Sequence, residues 1–132
     1  MSVWLFIDTH KRGTSRLGWL SVHAGASVHS YRGRPAIVLR QLLVHARERL
    51  NQCQGICVVL GPGQFSAIRL GVLQANLLAR LLGLPLVGIK LDDIEPINGL
   101  ANRLVTMSPS QYAAPIYDQE PNITLPNSVP RV

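Results

Sequence analysis

A chain of 132 residues with a formal charge of +6, 47% apolar and only 5% aromatic residues has the make-up of one compact aliphatic α/β core. That excludes a mostly disordered protein and leaves no room for a second full lobe. Arg69, Gln74, Asn76 and Arg80 break the longest apolar run, so no membrane span is expected; the opening Met1 to Ile7 lacks the basic region and cleavage site of a secretory signal, so the expected location is cytoplasmic.

Val3 to Ile7 is too densely apolar for a one-sided strand and reads as a strand covered on both faces, ending at Asp8. A polar turn follows over Thr9 to Ser15. A second strand runs from Leu17 to about His23, Ala24-Gly25-Ala26 turns the chain, and Ser27 to Arg32 forms a third, giving an antiparallel meander. Pro35 suits a first helical position, and Ile37, Val38, Leu42, Leu43, Ala46 and Leu50 recur at helical spacing. Ile56 to Leu60 reads as a buried parallel strand feeding Gly61-Pro62-Gly63. A second helix follows, expected to be capped by Ser66 and stopped at Gly83 ahead of Pro85, and Leu86 to Ile89 supplies a fifth strand. The order is β-β-β-α-β-α-β, that of one lobe of the RNase H-like, actin-like fold. Five of the nine prolines fall in Ser108 to Val132, where periodicity is lost. The expected division is therefore a lobe over 1–105 and an extended, partly docked Pro-rich tail over 106–132.

Cys53 and Cys57 form a C-x-x-x-C pair without neighbouring ligands, better read as two core thiols than as a zinc or disulfide signal. His10, His23, His29 and His45 show no metal-ligand spacing, and no metal is expected. Asp92-Asp93-Ile94-Glu95-Pro96 reads as an acidic turn without chemistry. Up to Leu50 there are eight Lys/Arg against two Asp/Glu, and the remainder carries five of each, so the excess of positive charge lies in the first part. Such asymmetry fits an RNA or other polyanion partner, and equally a solvated basic face.

The segment from Gly61 to Gly71 has a logic of its own. Two glycines around a proline turn a strand sharply into a helix and leave free N–H groups at the helix start; Gly61, Gly63 and Ser66 thus form either an anion-binding corner or simply a tight turn, and Gly71 lets another backbone come close. From Ala67 to Leu82 the polar side chains are only Arg69, Gln74, Asn76 and Arg80, so this helix is apolar over more than one stripe and wants cover on two sides.

The run Gly61-Pro62-Gly63-x-Phe65-Ser66-x-x-Arg69-x-Gly71, continued by Gly83-Leu84-Pro85-Leu86-Val87-Gly88-Ile89 and preceded by Phe6-Ile7-Asp8-Thr9, resembles the signature of the TsaB family. The resemblance covers about residues 3–95, with a fainter echo at Ala114-Pro115-Ile116-Tyr117. It implies a non-catalytic, actin-like partner of a TsaD-like threonylcarbamoyltransferase in tRNA threonylcarbamoyladenosine modification, with a TsaE-like ATPase completing the complex and tRNA met indirectly through it. The first-lobe helices of that family form a dimer surface, used with TsaD or with a second copy. Carried onto this chain, the expected partner interface is Arg69, Leu70, Gly71, Leu73, Gln74, Leu77 and Leu81. The family's second lobe has no counterpart in the sequence beyond the tail, so no cofactor is expected to bind this chain alone. Asp8 stands where active actin-like ATPases place a metal-associated carboxylate; here it is read as a degenerate position or a turn-capping Asp. Two other readings compete with the scaffold: a minimal actin-like nucleotide- or anion-binding ATPase using Asp8 and the Gly61–Gly63 corner, and a basic RNA-binding module.

Overall fold

The computed structural model describes residues 3–45, 47–63, 65–110 and 112–116. Its elements are β1 (Val3–Lys11), β2 (Thr14–Ser21), β3 (Gly25–Arg32), α1 (Pro35–His45), α2 (Arg47–Asn51), β4 (Cys53–Gly61), α3 (Phe65–Leu82), β5 (Leu86–Lys90), two short 3-10 turns (Leu91–Asp93 and Ile97–Gly99) and α4 (Leu100–Val105). The sheet order is β3-β2-β1-β4-β5. The first three strands pair antiparallel, and β4 and β5 add in parallel beside β1. This is the expected single actin-like lobe.

The central strands alternate their side chains between two apolar layers, which is why β1 and β4 read as continuous apolar runs. On one face Leu5, Ile7, Leu17, Ile56 and Val58 pack under Val38 and Leu39 of α1 and Ile68, Val72 and Ala75 of α3. On the other, Trp4, Phe6, Leu20, Cys57, Val59 and Val87 are covered by Ile94, Leu100, Ala101 and Leu104. Each large side chain buried in this way contributes about 1.5–3 kcal/mol. Both cysteines are buried free thiols. Burial raises the Cys53 thiol above its ordinary range and pushes Cys57 up to about 12, so both are inert core groups.

Several expectations need revision. β1 runs on through Asp8 to Lys11, and β2 begins at Thr14, because polar residues in the hairpin find partners across it. Ala46 lies outside the described residues, and the expected first helix is described on either side of it as α1 and α2. Ser66 is the second residue of α3 and not its cap. α3 does end before Gly83, where Leu84 N donates to Ala79 O at 2.9 Å. α4 was not anticipated: its six residues are too few to display a period.

Residues 106–110 and 112–116 lie along the lobe. Ser110 bridges to Leu86, and Ile116 N donates to Leu60 O at 2.6 Å. Asn76 of α3 donates from Nδ2 to Ala113 O and accepts from Ala113 N at its Oδ1, at 2.9 and 2.8 Å. The rest of the expected tail, 117–132, is outside the described residues. Asn76→Leu leaves both Ala113 groups unpaired, and a loss of about 1–3 kcal/mol is expected. Urea unfolding, with limited proteolysis between 106 and 116, checks it.

Candidate functional site: the outer face of the second long helix

α3 turns Ala67, Ile68, Gly71, Val72, Ala75 and Ala79 inward, at the three- and four-residue spacing of a helix face. Its other side carries Leu70, Leu73, Leu77 and Leu81, exposed by 43, 48, 53 and 81%. Isolated exposed leucines are ordinary; four in one stripe are an unpartnered surface. α1 extends it: Val44 is 56% exposed, and a groove of about 450 Å³ runs between the two helices, lined by Leu43, Val44, Leu50, Leu77 and Leu81. Arg40 and Arg47 stand along the groove, and Arg69 and Arg80 are exposed on α3, so the apolar surface is flanked by positive charge. Gln74 is half-buried at its floor, with Oε1 lacking a hydrogen-bond partner among the described residues.

One residue expected on this surface is elsewhere. Gly71 faces the sheet, where a β-carbon would overlap the side chain of Thr9, and Thr9 Oγ1 donates to Ala67 O at 2.8 Å. Gly71 is needed for close packing inward, by a side chain of β1 rather than by another backbone.

The Gly61–Gly63 corner is filled by the chain itself. Gly61 has φ +116°, with the Ile116 carbonyl where a β-carbon would sit, and Gly63 lies against the backbone of His10. Both glycines are buried while Ser66 is exposed, so the three do not converge on one cradle. A carbonyl oxygen packed into the corner also disfavours an anion there. Ser66 instead borders a shallow depression of about 520 Å³ with Arg12, Arg34 and Leu70.

Asp8 is fully buried and both its oxygens are engaged. Oδ1 accepts from His10 N at 3.0 Å and lies 2.7 Å from His10 Nδ1; Oδ2 accepts from Arg16 Nε at 2.8 Å, with Nη2 at 2.8 Å. A carboxylate can only accept, so Nδ1 carries the His10 proton. Asp8 thus accepts from the local backbone, as the capping reading expected, but from inside β1 and not in a turn, and it holds an ion pair that no sequence pattern announced. Lys11, Thr14, Arg16 and Ser30 complete a polar hollow of about 280 Å³ around it. No group of three or more His, Cys, Asp or Glu is placed to hold a metal among the described residues, nor is any described helix long and apolar enough to cross a membrane.

Residues 27–91 match the family model for TsaD, tRNA N6-adenosine threonylcarbamoyltransferase. Among solved structures the chain is similar to YeaZ from Pseudomonas aeruginosa, with 26% identity and a TM-score of 0.56 over 68% of this chain and 43% of that one. Over its lobe the chain is thus similar to TsaB-type proteins. A second structure, an uncharacterized protein with similarity to peptidase YEAZ from Pseudomonas aeruginosa, matches at 25% identity and TM-score 0.56, over 68% of this chain and 44% of that chain. The chain therefore spans less than half the length of these two structures. No curated protein matches its sequence.

Proposed function

We propose that the chain is a non-catalytic partner subunit of a TsaD-like threonylcarbamoyltransferase, binding it through the outer face of α3 and the adjoining side of α1, and so supporting tRNA threonylcarbamoyladenosine modification. The observation that carries this reading is the stripe Leu70, Leu73, Leu77 and Leu81 opening into the apolar groove. Its arginine margin suits a partner helix that is apolar at its centre and acidic at its edges. The buried Asp8 carboxylate supports a scaffold over an ATPase, since it is taken up by His10 and Arg16. A TsaE-like ATPase would join the same complex, and tRNA would meet this subunit there.

Light scattering on the chain, alone and mixed with the TsaD homologue of the same organism, tests the proposal. A self-associated species that yields to a heterodimer is expected. Leu73→Asp and Leu77→Asp should each weaken the heterodimer by roughly 100-fold or more, because an unpaired charge buried in an interface costs about 3–5 kcal/mol. Both side chains are half-exposed in the single chain, so folding should survive. A chain that stays monomeric and ignores TsaD overturns the proposal.

A further inference from the structure

The β1–β2 turn and the β3–α1 connection meet at one end of the sheet, tied by Gly33 N donating to Gly13 O at 3.1 Å. Four cations gather on these two short segments: Lys11, Arg12, Arg32 and Arg34, all exposed. The ladder brings them together, because Thr14 pairs with Lys11 on one side and Arg32 on the other, which sets those two strand positions roughly 10 Å apart. None of the four makes an ion pair with a described residue. The chain's other described carboxylates lie elsewhere in sequence: Glu48 on α2, and Asp92, Asp93 and Glu95 after β5.

Hollows open on both sides of the hairpin tip. One holds Lys11, Thr14 and Ser30 beside Asp8, whose charge is met by Arg16 and His10; the other holds Arg12, Arg34 and Ser66 against α3. Among the described residues, neither is lined by an exposed carboxylate. Like charges crowded this way repel, so fold stability alone gives no reason for the arrangement, whereas a row of phosphates would relieve it. Among the described residues no Phe, Tyr or Trp lines either hollow, which points to backbone contact and not to base reading.

We infer that this hairpin rim is a direct contact surface for the phosphodiester backbone of RNA, formed by Lys11, Arg12, Arg32 and Arg34. The charge geometry stands alone; the choice of RNA over DNA rests on the tRNA-modification reading above. The rim meets the leucine face of α3 at Leu70, which borders the hollow of Arg12 and Arg34, and is separate from the groove lined by Leu77 and Leu81.

The test uses the full chain without any partner protein and fluorescently labelled unfractionated tRNA, with affinity measured from 50 to 200 mM KCl. Binding should weaken steeply with salt, and Arg12→Ala and Arg34→Ala should each make the slope of log K against log salt shallower by about one. Arg12→Lys and Arg34→Lys keep the charge and should keep the slope, which separates lost charge from lost fold. Lys90→Ala, at the end of the opposite edge strand, should leave it unchanged. No salt-dependent binding, or equal loss in Lys90→Ala and the rim variants, would overturn the inference. Equal affinity for a duplex DNA of matched length would overturn its assignment to RNA. Because TsaD is absent, failure here leaves the heterodimer untouched, and failure of the heterodimer leaves this measurement untouched.

Discussion

Asp8→Asn is expected to destabilise the fold by about 2–3 kcal/mol. The substitution keeps the size of the side chain but removes the charge that answers Arg16 and leaves one acceptor oxygen where His10 and Arg16 each have their own. Breaking a buried ion pair from one side costs about 3–5 kcal/mol where both partners are sequestered. The Arg16 side chain is 33% exposed, so water recovers part of that cost. Removing both charges in Asp8→Asn/Arg16→Met should be milder than Asp8→Asn alone, since no unanswered cation remains. Denaturant midpoints of the three proteins decide the matter. If Asp8 were instead held in reserve as a metal–nucleotide ligand, the single variant would keep its stability and lose only nucleotide affinity.

Gly71→Ala should cost about 2 kcal/mol, although alanine is the better helix former. Propensity alone favours Ala over Gly by about 0.8–1 kcal/mol in a helix interior. Against it, the added methyl would overlap Thr9 Oγ1 and lie 2.6 Å from Thr9 Cγ2 and 2.8 Å from Thr9 Cβ. Thr9 is a short, branched, buried side chain on the central strand and has nowhere to swing. Overpacking of this kind costs about 1–3 kcal/mol, and the bond from Thr9 to Ala67 O, worth about 0.5–1.5 kcal/mol, is lost with it. Thr9→Ala introduced beside Gly71→Ala should recover part of the loss, a coupling that a double-mutant cycle measures directly. Additive effects would mean that the helix and strand do not meet at this point.

The same two sites show what could be read from the residues alone. The strands were legible because β1 and β4 are covered on both faces and spell that out in unbroken apolar runs. Their ends were not: β1 continues through Asp8, Thr9 and His10, polar residues kept in the strand by partners as distant in sequence as Arg16 and Ala67. The exposed leucines of α3 were legible as an excess over one stripe, and the structure places all four of those expected on the outer side. Gly71 was misplaced because a glycine's direction on a helix is set by what packs on it. The crossing of Ile116 behind Gly61 and the clasp of Asn76 on Ala113 join positions far apart in the chain, so no local pattern could announce them.

The strand order has a consequence for how this protein is made. β1 is the central strand and emerges first. The meander β1–β2–β3 grows from it toward one edge through neighbouring contacts, while β4 and β5 are added on its other side only after the intervening helices exist. During synthesis the layer containing Trp4, Phe6 and Leu20 waits longest, since Ile94, Leu100 and Leu104 lie far later in the chain. A nascent chain halted before Leu100 would therefore display an aromatic and aliphatic sheet face to its surroundings, making this the stage of biogenesis most dependent on chaperones.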